Sequence, residues 1–377
     1  MAQTWRITRG KVATFRMIDA LLWPAGKLLS LRRSKAASIS NVLVLEPWYI
    51  GDVVLATPIL RAIRRRYPEA RITLLGAAHA EELLRHSGLA DDVIVADLPW
   101  TAKSAKYDPR RYDWRVIREL IAKLRHRRFD LTIDARMDLR SNLLTFLTGA
   151  PRRVGYDFGG GAFLLTDAVA ADPDRKHRVD DWLELMRPLE AHAGSISTSG
   201  SEGLEPYLAV SEAERDESAA RLRAVGINPR EPLVAVHGGA GDPQRRWPRP
   251  SFEKVAERLA ADHGARVIWF LEPDADDSAI PVATAAFRTS LREMMALLTH
   301  CNLFLCNDSG PMHIADTLGV PVVAVFLTGN PVWHRPYRNN QLVVGAGTGH
   351  DFLVAPTEAE VLAAAVRRLS ESMQEAG

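Results

Sequence analysis

Short apolar runs alternate with amphipathic segments through the first half of the chain. The apolar runs have the length and β-branched content of buried strands and lie at 41–45, 71–76, 93–97 and 130–135. The segments between them repeat apolar residues at helical spacing, over about 52–67, 79–87, 112–127 and 139–148. Strands that alternate with helices predict a parallel, doubly wound α/β sheet.

A second alternating set follows a small, polar segment. Residues 193–203, AGSISTSGSEG, are typical of an interdomain linker. Beyond it the predicted strands are 233–237, 266–271, 303–306, 320–326 and 342–345, and the predicted helices are about 251–263, 291–299, 311–318 and 357–373. We therefore predict two Rossmann-like, doubly wound domains, 41–200 and 204–350, that face a central cleft. The last helix can pack back on the first domain.

Residues 1–40 form a basic arm ahead of the first predicted domain. The segment KVATFRMIDALLW (11–23) is amphipathic at helical spacing. Its apolar face comprises Phe15, Ile18, Leu21 and Leu22. The arm carries eight Lys or Arg and one acid, Asp19. Two interpretations stay open: residues 1–35 bind an anionic membrane surface, or the helix packs on the domain body or on a second subunit.

The composition is that of a globular protein with nearly balanced charge. Of 377 residues, 47% are hydrophobic and 25% are charged, and the net charge is +2. Because the arm contributes +7, the rest of the chain sums to −5, and this balance predicts no nucleic-acid partner. No apolar stretch reaches the roughly 18 residues that span a bilayer, and no signal peptide is evident. Two cysteines cannot build a disulfide framework, so we expect a cytoplasmic location.

Asp52 lies at the junction between the first predicted strand and the first predicted helix, directly after Gly51. A carboxylate there can cap the helix, because it accepts hydrogen bonds from the free N–H groups of the first turn. It can also act as a general base that takes a proton from an acceptor hydroxyl. Residue type and position alone favour the cap.

The loop GGAGDPQRRWP (238–248) follows a predicted strand and combines glycines with paired arginines. Glycines such as Gly239 let the backbone approach a ligand closely. The side chains of Arg245 and Arg246 can hold a diphosphate bidentately. The loop therefore predicts phosphate binding, against the alternative of a solvated surface turn.

The segment CNDSGPMHIADTLGV (306–320) joins two predicted strands through a short helix. Ser309 or Gly310 suits the helix cap, Pro311 the first helical position and Gly319 the end. Ligands of open α/β sheets bind at the carboxyl ends of strands, and a helix start favours anions. The turn therefore predicts a site for a phosphorylated ligand. No His or Cys cluster has metal-ligand spacing, so no metal site is predicted.

Taken together, five stretches resemble the ADP-heptose:lipopolysaccharide heptosyltransferases of glycosyltransferase family 9. They occur in the family's order over about residues 41–345: GDVVLATPILRAIRRRYPEARITLL, RRFDLTIDARMDLRSNLL, RRVGYD, HGGAGDPQRRWP and SLREMMALLTHCNLFLCNDSGPMHIADTLGVPVVAVF. The resemblance implies a GT-B fold with the sugar nucleotide bound mostly by the second domain. It also implies inverting glycosyl transfer without a metal or other cofactor.

The resemblance assigns roles to matching positions of this chain. It makes Asp52 the expected general base, which moves the interpretation of that residue from cap to catalysis. The donor-binding residues that it implies are Asp308, Ser309, Gly310, Met312, His313, Thr328 and Gly329, in addition to Gly239, Arg245 and Arg246 of the loop. Gly51, Arg136 and Arg140 are expected on the acceptor side.

Three departures from the family pattern bear on the donor. Arg245 stands where relatives usually carry a lysine that contacts the donor phosphate; the charge is kept and its reach changes. His237 is followed by two glycines where relatives usually have one. Glu272 interrupts a turn that is often Gly-Gly-Pro, and puts a negative charge near the nucleotide region. The expected donor is ADP-linked. Because the negative charge of Glu272 lies near the expected nucleotide region, a donor with a different nucleotide or sugar stays an alternative.

We therefore predict an inverting glycosyltransferase. It would move a heptose or related sugar from a nucleotide diphosphate to a hydroxyl of a lipopolysaccharide-type or other membrane-anchored glycan. Its expected place is peripheral, at the inner face of the cytoplasmic membrane. Two alternatives stay open: a sugar-nucleotide epimerase of GT-B type, and a catalytically silent relative that binds a sugar nucleotide or a lipid.

Overall fold

Two compact units make up the chain in the computed structural model, Met1–Pro206 and Tyr207–Gly377. The structure describes residues 14, 17–24, 26, 38–101, 108–170, 176–190, 203–272, 284–338, 343–345 and 355–375. None of the helices within these ranges combines the length and hydropathy that a bilayer crossing requires. Residues 17–24 form a helix ahead of the first sheet.

Six parallel strands form the sheet of the first domain. They are β1 (Asn41–Glu46), β2 (Arg71–Gly76), β3 (Asp92–Val95), β4 (Leu131–Asp134), β5 (Arg152–Tyr156) and β6 (Asp167–Val169). The accompanying helices are α1 (Ile50–Arg66), α2 (Ala78–Leu84), α3 (Trp114–His126), α4 (Leu139–Leu147), α5 (Arg178–Leu183) and α6 (Arg187–Glu190). The strand order is β3-β2-β1-β4-β5-β6, so the winding reverses between β1 and β4.

The two central strands of this sheet end at the same edge. Val42 pairs with Leu131 and Leu45 pairs with Asp134 in the parallel register of β1 and β4. The apolar residues of β1 are fully buried, as expected for a parallel strand covered by helices on both faces. In open α/β sheets, ligands bind beyond the carboxyl ends of strands where the winding reverses, which is where Glu46 closes β1.

The second domain repeats this architecture. Its strands are β7 (Leu233–His237), β8 (Arg266–Phe270), β9 (Thr284–Phe287), β10 (Leu303–Asn307), β11 (Val322–Val325) and β12 (Val343–Val344). Its helices are α7 (Glu212–Ala224), α8 (Arg249–His263), α9 (Leu291–Leu298), α10 (Gly310–Thr317), α11 (Pro331–His334) and α12 (Glu358–Glu375). The sheet is parallel in the order β12-β11-β10-β7-β8-β9, so its winding reverses between β7 and β10.

Each apolar run expected to be a strand forms one, whereas several short or polar elements were not predicted. The missed strands are β5, β6 and β9, and the missed helices include α5 and α7. The helix α7 has no continuous apolar stripe, because only Ser218 and Leu222 are buried along it. The helix α8 begins at Arg249 with Pro248 as its N-cap, rather than being capped by Ser251.

The C-terminal helix packs within the second domain. The helix α12 contacts α8 and the strands β10 and β11. Its residues Val361, Ala365 and Leu369 are buried in one core with Val255 and Leu259 of α8. The apolar stripe of this helix therefore completes the core of the second domain, and its packing on the first domain stays a prediction. Most of the expected linker, 193–202, lies outside the described residues.

Candidate functional site

Asp52 and Arg136 meet at the carboxyl edge of the first sheet. Asp52 lies in the first turn of α1, and its Oδ2 accepts a hydrogen bond from the Tyr49 N–H at 3.4 Å. Arg136 follows β4; its Nη1 donates to Asp52 Oδ1 at 2.9 Å, and its guanidinium lies over the Trp48 ring, 4.5 Å from the centroid. Both side chains keep about one sixth of their surface exposed, 16% for Asp52 and 17% for Arg136. Asp52 is therefore both a cap and an accessible, paired carboxylate.

The two other residues expected on the acceptor side take different places. Gly51 is buried in α1 next to Asp52. The Nε of Arg140 donates to Asp138 Oδ1 at 2.8 Å, and Asp138 is the N-cap of α4. The structure therefore brings Gly51, Asp52 and Arg136 together, and it shows Arg140 in an ion pair with Asp138.

Sequence reasoning missed a set of fully buried ionisable side chains around Arg136. Glu46 Oε1 lies 3.7 Å from Arg136 Nη1, and burial raises the pKa of Glu46 to about 8. Asp134 Oδ1 accepts from the Arg136 N–H at 2.9 Å, and burial raises the pKa of Asp134 well above its usual range. The guanidinium of Arg178 in α5 is equally buried. In the sequence, these buried acids could have been recognised as acids that end a short, mainly apolar strand, as in VLVLE (42–46) and LTID (131–134).

A second cluster lies at the carboxyl edge of the second sheet, where the paired strands β7 and β10 end. Asn307 connects two segments there. Its Nδ2 donates to the Gly238 carbonyl at 2.8 Å, and its Oδ1 accepts from the Trp247 N–H at 2.9 Å. The 238–248 loop is therefore tied to the turn after β10. Sequence reasoning did not single out Asn307, whose only signal was a polar residue at the end of a buried strand.

The two arginines of the loop are each held by a carboxylate. Arg245 Nη1 lies 3.1 Å from Oδ2 of Asp308, whose side chain is only 3% exposed. Burial raises the pKa of Asp308, and the neighbouring Arg245 opposes that rise. Arg246 donates from Nε to the Ala240 carbonyl at 2.9 Å, and its Nη2 lies 3.3 Å from Glu272 Oε1. The negative charge of Glu272 therefore reaches the loop that sequence analysis assigned to phosphate.

Two glycines leave room for these carboxylates. A Cβ at Gly239 would lie 2.6 Å from Glu272 Oε1 and 2.9 Å from His237 Cε1. A Cβ at Gly329 would collide with Asp308 Oδ2. Burial lowers the pKa of His237 to about 4, with a smaller contribution from Arg246, so its imidazole is neutral at neutral pH.

The short helix of the opening turn forms as expected. Ser309 is the N-cap of α10, Gly310 is its first residue, and Pro311 lies in its first turn. Among the described residues, none forms a hydrogen bond with the buried Ser309 Oγ. A helix start beside an arginine pair can bind an anion through its backbone N–H groups.

The expected donor residues differ in their access to a ligand. Arg245, Asp308, Ser309 and Gly310 share one sheet edge, and Gly329 adjoins Asp308. Met312 is fully buried and His313 is 5% exposed, while Thr328 is exposed. Within the described ranges, no three His, Cys, Asp or Glu side chains cluster as a metal site requires. Metal-independent transfer stays a prediction.

Comparison with known protein sequences gives one family. The profile of glycosyltransferase family 9 (heptosyltransferase) matches residues 117–357. Lipopolysaccharide heptosyltransferase 2 of Escherichia coli (strain K12) is 25% identical over 326 residues, which cover 82% of this chain and 89% of that protein. The enzyme of the same name from Salmonella typhimurium is 24% identical over 323 residues, with the same coverage of both chains.

Solved structures share the fold. The glycosyl transferase family 9 protein from Veillonella parvula DSM 2008 aligns with a TM-score of 0.74 at 21% identity, over 88% of this chain and 98% of that one. The E. coli ADP-heptose lps heptosyltransferase II aligns with a TM-score of 0.69 at 23% identity, over 89% of this chain and 100% of that one. These likenesses confirm the predicted GT-B fold built from two Rossmann-like domains.

Proposed function

Because the chain belongs to glycosyltransferase family 9, we propose that it transfers a heptose or related sugar from a nucleotide diphosphate to a hydroxyl of a lipopolysaccharide-type glycan. One observation carries the proposal: each domain holds a charged cluster at the edge where its winding reverses. Asp52 with Arg136 forms the first, and Arg245 with Asp308 forms the second. The relatives named lipopolysaccharide heptosyltransferase and ADP-heptose lps heptosyltransferase support ADP-heptose as the donor.

Asp52 is suited to the acceptor half of the reaction. Its carboxylate takes the proton of the acceptor hydroxyl as that oxygen attacks the anomeric carbon, and the bond from this carbon to the diphosphate breaks. Arg136 holds Asp52 in one orientation, because its Nη1 donates to Oδ1 at 2.9 Å. A single displacement of this kind inverts the anomeric configuration.

The second cluster is suited to the leaving group. Arg245, Arg246 and the N–H groups that start α10 provide positive charge where negative charge develops on the departing diphosphate. Guanidinium groups can supply this stabilisation through charge-assisted hydrogen bonds without a metal ion. We therefore expect the proposed transfer to proceed when EDTA removes divalent metal ions.

The nucleotide preference tests the donor half directly. We expect ADP to raise the melting temperature more than UDP or GDP does, because ADP-heptose is the proposed donor. A ligand that binds only the folded state stabilises that state, by about 2.7 kcal/mol at a hundredfold excess over Kd. Differential scanning fluorimetry with the three diphosphates measures this ranking. A larger shift with UDP or GDP would contradict the ADP assignment and point to an effect of Glu272 on the base or ribose.

The complete reaction separates the proposal from its alternatives. Incubation with ADP-heptose and heptose-deficient lipopolysaccharide is expected to release ADP and to add one heptose to the acceptor, as seen by mass spectrometry. The NMR spectrum of the product reports the anomeric configuration and hence inversion. An epimerase would change the donor sugar without any acceptor, and a silent relative would release no ADP.

The helix at residues 17–24, hereafter the arm helix, supports an acceptor that is anchored in a membrane. Asp19 is only 8% exposed, and its Oδ1 accepts from the Gly161 N–H at 2.8 Å. The exposed apolar residues of the helix are Met17, Ile18, Leu21, Leu22 and Trp23. The arm helix therefore contacts the first domain through Asp19, while Met17, Ile18, Leu21 and Leu22 keep much of their surface exposed.

We assign the exposed face of the arm helix to an anionic bilayer. The arm has eight cations in residues 1–40, and its single acid, Asp19, already accepts a hydrogen bond from the domain. An exposed apolar helix face in a segment whose sequence has an excess of cations suits the boundary between acyl chains and anionic headgroups, where each basic residue contributes about 1 kcal/mol. Such contact would place the enzyme beside its acceptor, peripheral at the cytoplasmic face of the membrane.

Replacing Leu21 and Leu22 together by Glu is expected to abolish sedimentation with phosphatidylglycerol-containing vesicles, because both apolar contacts are lost and negative charge is added. The matched control is Val116→Glu, which alters a residue of the same domain that is 48% exposed on α3. Unchanged sedimentation of the Leu21/Leu22 variant would contradict membrane binding. Loss of a dimer in the same variant, without any effect on vesicle binding, would identify a second copy as the partner.

A further inference from the structure

Glu46 is a buried carboxyl for which the proposed reaction has no role so far. It closes β1, its side chain has no exposed surface, and Arg136 Nη1 lies 3.7 Å from its Oε1. Within the described part of the chain, no donor meets either oxygen with hydrogen-bond geometry, although the Trp48 N–H nearby favours the charged form slightly. The same Arg136 nitrogen donates to Asp52 Oδ1 at 2.9 Å. Arg136 is thus bonded to Asp52 and only close to Glu46.

The charges around Glu46 do not balance if every group is ionised. The surrounding groups are Asp52 of α1, Asp134 and Arg136 at the end of β4, and Arg178 of α5 with its neighbour Asp181. With Glu46 itself, the group has four carboxyls and two guanidinium groups, so the guanidinium groups can neutralise only two of the carboxyls. Burial raises the pKa of Glu46 to about 8 against the opposing effect of Arg136, and it raises that of Asp134 well above its usual range. At neutral pH Glu46 therefore keeps its proton.

We propose that Glu46 is a positioning residue for Asp52: as a neutral carboxyl it leaves Arg136 to Asp52, and as a carboxylate it draws Arg136 away. This inference rests on the proposed role of Asp52 as the base. While Glu46 keeps its proton, the guanidinium of Arg136 pairs with Asp52 and fixes the orientation of that carboxylate. Once the proton is lost, two carboxylates compete for one Nη1, and transfer slows because Asp52 is no longer held.

The variant Glu46→Gln fixes the neutral state and gives the decisive pH profile. We expect kcat of the wild type to fall above about pH 8, approaching tenfold per pH unit, as a group with that pKa ionises. The Gln variant is expected to keep its neutral-pH rate over the same range. The control Glu119→Gln makes the same change at an exposed position of α3 and should show the wild-type profile.

Two results would overturn the proposal. One is an alkaline fall in the Gln variant equal to that of the wild type. The other is a folded Gln variant that is inactive at neutral pH, because the charge rather than the proton on Glu46 would then be required.

A measurement on the wild type covers the case in which the Gln variant does not fold. Infrared spectra of the protein, recorded from about pH 6 to about pH 9.5, are expected to show one protonated carboxyl that titrates near pH 8. Its absence overturns the role of Glu46 without reference to activity. A wild type that titrates in this way but transfers no sugar at any pH would instead contradict the proposed function.

Discussion

Replacing Asp52 by Asn is expected to lower kcat for sugar transfer by roughly 10²- to 10⁴-fold, the usual contribution of a general base. The Asn side chain has the same shape, and its Oδ1 can still accept from Arg136 Nη1, so the contact at 2.9 Å can persist. What the variant loses is the capacity to take the proton of the acceptor hydroxyl. ADP affinity should not change, because the proposed donor residues belong to the second domain. Initial rates at saturating donor and acceptor, with calorimetry for ADP, measure both quantities.

A matched control separates the loss of a base from the loss of an ion pair. Asp91 belongs to the same domain and pairs with Arg64 through an oxygen–nitrogen distance of 2.7 Å. The variant Asp91→Asn should keep the wild-type rate, because exposed ion pairs contribute little to stability and this one carries no reactive group. Transfer by Asp52→Asn within about threefold of the wild type, in a protein of unchanged melting temperature, would remove Asp52 from the mechanism.

Replacing Arg245 by Met is expected to weaken ADP binding by roughly 10- to 100-fold, because a charge-assisted hydrogen bond contributes about 1.5–3 kcal/mol. Met keeps much of the length of the side chain and removes its charge. Transfer should fall further than binding does, because the negative charge on the diphosphate grows as the sugar departs. Isothermal titration calorimetry and single-turnover kinetics separate the two effects.

The Arg245 variant also removes the ion-pair partner of Asp308. This loss of an ion pair needs its own control. Without Arg245, the opposing effect of the guanidinium is lost and the pKa of the buried Asp308 rises further. The double variant Arg245→Met with Asp308→Asn removes that complication and should bind ADP no better than the single variant. Arg258→Met, which breaks an exposed ion pair with Asp262 on α8, should bind ADP normally. Wild-type affinity in Arg245→Met would contradict the assigned phosphate contact.

Local pattern was sufficient for the elements that build the candidate site. The strands β1 and β10 are apolar runs that need burial on both faces, and their fully buried residues show that they receive it. The turn from Asp308 to Gly319 carries its own signals, because Ser309 serves as N-cap and Gly319 takes a φ of +81° that favours glycine. The order of these elements, with the family motifs on them, placed Asp52 and Arg245 at sheet edges before any coordinates.

Other parts of the fold carry no local signal. The strand β5 reads RRVGY, yet Arg153 is only 1% exposed. Its guanidinium donates from Nε to the Leu164 carbonyl and from Nη1 to the Ala150 carbonyl, both at 2.8 Å. A charged residue becomes a buried strand residue only when the rest of the chain supplies such acceptors, and hydrophobic periodicity contains no information about them.

The sequence by itself determined two sets of alternating strands and helices, because apolar period, glycine turns and helix caps act over a few neighbouring positions. The family resemblance added the GT-B fold and the expected roles of the candidate residues. Only the tertiary structure decided which charges meet. It placed Glu46 3.7 Å from an arginine 90 positions away, and it turned Asp19 of the arm helix inward while the leucines stayed exposed. The physical reason is that a buried charge must find a partner or change its protonation state, and that partner is chosen by packing between distant segments.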